Sequence, residues 1–311
     1  MSIIVSSATT AEQLEASAFI FADTAIEKRE SQIEEFLNSI TSGKFDQNQI
    51  LIARESGTLI GVGILVLTDS STAFIWPPFT KRNDCAEAIL DEMVKRIDQS
   101  EASIGQSLLD PGQMEQRRLL SQNGFPHLTN LIFMRHPLIE INQSASQEEA
   151  PLEWTKYDEC QNLQRFLDLL ELTHKSSQDC PELNHIRTAE ESLESHRSSG
   201  DSKEKLWYLF HKGGTDLGLL LLSEHQEDHV WEVVYMGVAP EQRGKGYGAA
   251  FLQHGLFEAK AHGKTAVILA VDYKNSYAIK IYEDMGFLRQ NTLSVHAHLR
   301  SHFPKKSQEI N

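Results

Sequence analysis

Apolar positions recur at helical spacing early in each half of the chain. In "SQIEEFLNSI", Ile33, Phe36, Leu37 and Ile40 fall on one face, and in "NLQRFLDLL" Leu163, Phe166, Leu167 and Leu170 do the same. Each half then carries two apolar runs separated by a glycine-containing turn, which predicts a β-hairpin at 49–67 and another at 206–223. Further along, "HVWEVVYMGVAP" predicts a strand and "GAAFLQHGLFEAKAHG" a helix closed by Gly263, where a left-handed C-terminal residue suits glycine. Between the halves, "LIEINQSASQEEAPLEW" at 138–154 is polar and reads as a linker. The expected organisation is a domain at 1–137, a linker at 138–154 and a second domain at 155–311.

The order of elements repeats. An offset of 162 sets "WPPFTKRNDCAEAIL" against "VAPEQRGKGYGAAFL", with Pro78 on Pro240 and Leu90 on Leu252. The same offset brings the Gly-Phe pair of "RRLLSQNGF" onto that of "IKIYEDMGF". Two matches in one register point to duplication. The copies differ where chemistry is expected: Gly246 faces Asp84, Gly248 faces Ala86, Asn275 faces Gln113 and Tyr282 faces Leu120. The first copy reads as emptied of function.

Composition narrows the options. A formal charge of -15 argues against a broad nucleic-acid surface, because phosphate binding needs clustered cations. Any anion site must be local. The apolar runs are too short to cross a bilayer and the first residues lack a signal-peptide pattern, so a cytoplasmic location without membrane contact is expected. Cys85, Cys160 and Cys180 are scattered, which predicts reduced thiols. His296 and His298 share a strand face but lack a third ligand at metal spacing, and no metal is assigned.

The local anion site is "APEQRGKGYGAAF" at 239–251, three glycines and two cations between a predicted strand and a predicted helix. Helix N-termini offer unpaired N–H groups and a positive dipole end, and glycines let an anion come close. The spacing fits neither a P-loop nor a dinucleotide fingerprint. It is Arg-x-x-Gly-x-Gly, Arg243 through Gly246 to Gly248, and here the sequence resembles the GCN5-related N-acetyltransferase (GNAT) family, whose pyrophosphate loop for acetyl-coenzyme A (acetyl-CoA) has that pattern. "AVILAVDYKNSYAIKIYEDMGF" at 266–287 is similar to the family's next strand and helix. The resemblance covers roughly 155–300 strongly and reaches the first half only through the repeat. It implies an α/β (α+β) fold of two tandem acyl-CoA N-acyltransferase domains, each with a mixed, mostly antiparallel central sheet flanked by helices.

Carried over residue by residue, the resemblance implies that the backbone of Met236 and Val238, on a strand bulged near Gly237, pairs with the pantetheine arm. Gly244, Lys245, Gly246 and Gly248, with Arg243, would surround the pyrophosphate, and Asn275 would bond the pantetheine region. Tyr282 would protonate the departing thiolate. Glu232, eleven residues before Arg243, matches the family's general base, with Glu224 in reserve. The implied reaction is direct attack of a primary amine, on a small molecule, on the thioester of acetyl-CoA. Asp179, Glu182 and Asn184, in the connection that borders the acceptor pocket in the family, would read a polar or cationic acceptor, or form an ordinary polar loop. The alternative to an enzyme is a module that binds acyl-CoA without catalysis. The acceptor, the oligomeric state and the role of the first domain are not encoded in any motif.

Overall fold

The structure, a computed structural model, describes residues 2–41, 49–68, 71–139, 152–181, 188–197, 206–225 and 229–300. It divides into two compact units. The first runs to Leu128 and resumes at Ser294; the second spans Thr129–Leu293.

The first unit opens with β1 (Ile4–Ser7), α1 (Gln13–Ile20) and α2 (Ile26–Thr41), followed by the expected hairpin β2 (Ile50–Glu55) and β3 (Thr58–Leu67). Strand β4 (Thr72–Phe79), α3 (Asn83–Gln99), β5 (Ile104–Leu109) and α4 (Met114–Gln122) follow. Its sheet has the order β1-β2-β3-β4-β5, closed by the last residues of β12 (Leu288–Leu299). All pairs are antiparallel except β4–β5. One face packs on α3 through Cys85, Ile89, Leu90, Met93 and Ile97, all fully buried.

The second unit contains β6 (His127–Pro137), β7 (Glu153–Lys156), α5 (Glu159–His174), α6 (Ala189–Arg197), β8 (Leu206–Lys212), β9 (Thr215–His225), β10 (Val230–Val238), α7 (Tyr247–Ala261), β11 (Ala266–Asp272) and α8 (Ser276–Asp284). The strand order is β6-β11-β10-β9-β8-β7, again with one parallel pair, β10–β11. Helix α7 covers one sheet face, where Phe251 stacks on Phe210 with ring centroids 4.1 Å apart. Helix α5 covers the other, where Phe166 stacks on Trp207. The helical face read from the sequence is the buried one: Phe166, Leu167 and Leu170 lie inside. Gly263 closes α7 at φ 72°, and Lys264 N donates to Ala259 O behind it.

The compact units differ from the linear halves 1–137 and 155–311. Strand β6 follows α4 in sequence yet pairs antiparallel with β11, from Leu131↔Asp272 to Pro137↔Ala266. The end of β12 follows α8 yet pairs with β5, from Ser294↔Leu109 to Leu299↔Ile104. Each half of the chain therefore supplies the closing strand of the other unit's sheet. A parallel pair such as β10–β11 leaves the outer edge of its second strand open, and an open edge needs a partner. Of the expected linker, 140–151 lie outside the described residues. The duplication keeps its register in the helices, since α4 at 114–122 and α8 at 276–284 coincide at the offset of 162.

A fragment of residues 155–311 lacks β6 and is expected to lose the cooperative thermal transition of the full chain, whereas residues 129–293 retain one. Far-ultraviolet circular dichroism melting distinguishes the two, and a cooperative melt of 155–311 alone would contradict the exchange.

Candidate active site

Strand β10 pairs with β9 along its whole length, but its register with β11 ends at Val233↔Leu269. Past that point β11 stays with β6 to Asp272, so β10 and β11 diverge and the β11-side edge of β10 opens. The cause lies in the register with β9: Val233 pairs with Leu222 and Tyr235 with Leu221, leaving Val234 as an extra residue. Such a bulge bends the strand and interrupts its ladder. The bulge was expected near Gly237 and lies at Val234 instead. Gly237 meets a different need. A Cβ there would lie 2.7 Å from Thr173 Cβ, so its missing side chain lets the end of α5 close on β10.

Beyond Val238 the chain turns through a 3-10 turn at Pro240–Gln242 into α7. Gly244 and Gly246 hold φ of 76° and 82°, the left-handed region that residues with a Cβ avoid. Gly246 caps α7, and Ala250 N is the first to bond back to its carbonyl. The N–H groups of Tyr247, Gly248 and Ala249 precede the first closed helical turn and face outward, as an anion site needs. Lys245 is exposed, its Nζ 3.0 Å from Gln242 Oε1.

Three residues expected to touch the cofactor are engaged within the protein. The Arg243 guanidinium donates to the carbonyl oxygens of Val238 (3.1 Å), Thr173, Lys175 and Ser176 (2.9 Å each). Unsatisfied carbonyls at the negative end of α5 attract a cation more strongly than open solvent does. Its side chain thus fastens the glycine loop to α5. Gly248 is buried, and a Cβ on it would lie 3.3 Å from Ile281 Cδ1, so it permits contact between α7 and α8. Asn275 caps α8 by accepting from Ala278 N (3.2 Å), and its side chain also hydrogen-bonds Asp179.

Tyr282, on α8, is 7% exposed and makes no hydrogen bond through its hydroxyl among the described residues. Burial, then the charge of Asp179 and the neighbouring Tyr235, push its phenol well above the ordinary value, so it stays protonated and able to donate. Tyr235, the first residue past the bulge, shares a 2.9 Å bond with Thr173 Oγ1. Glu232 lies before the bulge, where β10 is still paired on both sides, and His225 Nε2 meets its Oε2 at 2.7 Å. Glu224 is tied to Lys264 as a partly buried ion pair, which occupies the reserve base. Met236 and Val238 lie on the diverging part of β10, with their side chains against the α7 core.

Nothing in the sequence singled out Tyr235, His225, Thr173 or Asp272. Asp272 is fully buried at the end of β11 and accepts from Thr129 Oγ1 (2.8 Å), Lys274 N (2.8 Å) and Cys180 N (3.1 Å). Its own N–H donates to Asp179 Oδ1 at 3.0 Å. Glu182 and Asn184 lie outside the described residues. A cavity of about 710 Å³ opens beside α5, lined among others by Asp168, Glu171, His174 and Glu190, and shares no lining residue with the glycine loop or α8. Among the described residues no three His, Cys, Asp or Glu are grouped to hold a metal, and no helix is long and apolar enough to cross a membrane. His296 and His298 instead bond within the first unit, to Phe125 O and to Asp98 and Gly124 O.

In the first unit, the turn before α3 carries its own anion. Asp84 Oδ1 accepts from Cys85 N at 2.9 Å, and Arg82 grips Asp84 through two bonds and Glu55 through a third. A carboxylate therefore stands at the start of α3, where the second unit has Gly246.

Residues 168–287 match the sequence model of the acetyltransferase (GNAT) family. A mycothiol acetyltransferase of Thermobispora bispora is 34% identical over 88 residues, 27% of this chain and 30% of that protein. One of Streptomyces griseus is 35% identical over 83 residues, 27% of each. The chain thus covers less than a third of those relatives' lengths. Among solved structures, a GCN5-related N-acetyltransferase from Sphaerobacter thermophilus superposes with a TM-score of 0.57 at 15% identity, covering 95% of both chains. A tandem GNAT protein from the clavulanic acid biosynthesis pathway does so at 0.51 and 13%, covering 97% of this chain and all of the other. At such identities these likenesses show the fold, a tandem of two such units.

Arg243→Ala removes four bonds to backbone carbonyls and is expected to cost about 1–3 kcal/mol, lowering the calorimetric midpoint by several degrees. Lys245→Ala is expected to leave the midpoint in place. Equal midpoints for both variants would mean that the Arg243 fastening does not hold in solution.

Proposed function

We propose that this chain, whose residues 168–287 form a domain of the acetyltransferase (GNAT) family, transfers the acetyl group of acetyl-CoA to the primary amine of a small molecule. The observation that carries this reading is the divergence of β10 and β11 after Val233, which leads directly into the left-handed glycine loop at the start of α7. A thioester arm lying along the open edge of β10, at Met236 and Val238, puts its pyrophosphate over Gly244, Lys245, Gly246 and the first N–H groups of α7. Arg243, Gly248 and Asn275 act one step back: they fasten the loop, let α8 approach α7 and cap α8.

The chemistry asks for a base and an acid. An ammonium has no lone pair, so the acceptor loses a proton before its nitrogen attacks the thioester carbon, and Glu232, held by His225, is the proposed base. As the carbon–sulfur bond breaks, the electron pair stays on sulfur and the Tyr282 hydroxyl supplies its proton. The phenol recovers a proton from the nitrogen as the amide forms. N–H groups at the bulge support the developing oxyanion. The first unit, with Asp84 at the head of α3, is proposed not to bind the cofactor.

Free coenzyme A released from acetyl-CoA in the presence of a panel of primary amines tests the reading. Amine-dependent release is expected, falling about a hundredfold in Tyr282→Phe with acetyl-CoA affinity unchanged. Gly246→Asp, which adds both a Cβ at positive φ and a negative charge, is expected to abolish acetyl-CoA binding. Tight binding without amine-dependent release would favour a sensor over an enzyme.

A further inference from the structure

The chain leaves α5 at His174 and reaches Pro181 through two residues in unusual conformations, Ser176 at φ 55° and Cys180 at φ 43°. Fastenings at both ends hold this stretch. At the start Arg243 binds the carbonyl oxygens of Thr173, Lys175 and Ser176. At the far end Asp179 and Asp272 clasp each other's main chains: Asp272 N donates to Asp179 Oδ1, and Cys180 N donates to Asp272 Oδ2. The Asn275 side chain adds a bond to Asp179 from the cap of the Tyr282 helix.

The two carboxylates differ in access. Asp272 is wholly buried and its oxygens are committed to Thr129, Lys274 and Cys180. Asp179 remains exposed to solvent, and among the described residues no Lys, Arg or His forms an ion pair with it. Crowding and the charge of Asp272 raise its proton affinity, which marks an anion without a cation to balance it. Two phenols lie within its field. One is Tyr235, bonded to Thr173. The other is Tyr282, more than nine-tenths buried and without a hydrogen-bond partner for its hydroxyl. A reachable, unbalanced carboxylate and an unpartnered buried hydroxyl thus face one space at the open end of the β10–β11 cleft.

We infer that Asp179 receives the ammonium group of the acceptor, so that the site selects a protonated, cationic amine and seats it beside the Tyr282 hydroxyl. This rests on the acetyl-transfer reading and names the acceptor class for that same site. Pairing at Asp179 moves no proton; the deprotonation that frees the lone pair remains the step assigned to Glu232.

Two synthetic thioethers of coenzyme A test the inference without knowledge of the acceptor. S-(2-aminoethyl)-coenzyme A carries an ammonium just past the sulfur, and S-propyl-coenzyme A has the same length and no charge. By isothermal titration the wild-type chain is expected to bind the ammonium probe about tenfold more tightly. Asp179→Asn is expected to erase that preference while leaving S-propyl-coenzyme A affinity within about twofold, and Asp179→Glu, which keeps the charge, is expected to retain it. Equal affinities of the wild-type chain for both probes overturn the inference and leave the cofactor reading standing. A loss of affinity for both probes alike in Asp179→Asn and Asp179→Glu shows a structural strap and also overturns it. Failure of the wild-type chain to bind either probe overturns the cofactor reading, and the inference falls with it.

Discussion

Val234 is one residue too many for its partner strand, and the second unit is arranged around that surplus. With Val233 against Leu222 and Tyr235 against Leu221, the extra residue bends β10 away from β11 while β11 continues along β6. A flat pairing would have buried the edge of β10 in a continuous ladder, with no opening between the strands. The bulge also shifts side-chain parity, so that Tyr235 and Gly237 face α5 while Met236 and Val238 face α7. One inserted residue thereby sets the cleft, the approach of α5 and the direction in which the chain enters the glycine loop.

An opening of this kind needs fastenings, because the ladder that would have held it is gone. Arg243 supplies one, joining the loop to the end of α5 through four carbonyl oxygens. Asp272 supplies the other. A fully buried carboxylate costs several kcal/mol unless it is well bonded, and here its oxygens accept from a hydroxyl and two backbone N–H groups. Both fastenings end on the stretch between α5 and α6, so the segment nearest the cleft is held by interactions of charge with backbone dipoles more than by apolar packing. The core lies elsewhere, against α5 and α7 on the two faces of the sheet.

Much of this was legible in the chain itself. Helical periodicity located the buried faces of α5 and α7, and the two hairpins stood out as paired apolar runs around Gly. The glycine loop was legible because left-handed backbone and close approach leave few residue choices, and both Gly244 and Gly246 need the first. Three things were hidden for physical reasons. A bulge is defined by register between strands, and no residue type in "WEVVYMGV" marks Val234 as the surplus. The exchange of β6 and β12 depends on which open edge each strand meets, while the sequence shows only that both are strands. The Asp179–Asp272 clasp joins residues far apart in the chain, whose partners are mostly main-chain groups present at every position. Arg243 illustrates the limit well: a cation beside glycines reads as an anion ligand, and only the position of the α5 terminus shows where its bonds go.

The central claim is that one acyl-CoA cleft exists and that it lies in the second unit. Hydrogen–deuterium exchange with and without acetyl-CoA, followed by mass spectrometry, tests it at peptide resolution. The account predicts protection confined to peptides covering the diverging half of β10, the glycine loop and the first turn of α7, with exchange around the Arg82–Asp84 turn unchanged. Protection at the start of α3, or none along β10 and α7, would contradict it.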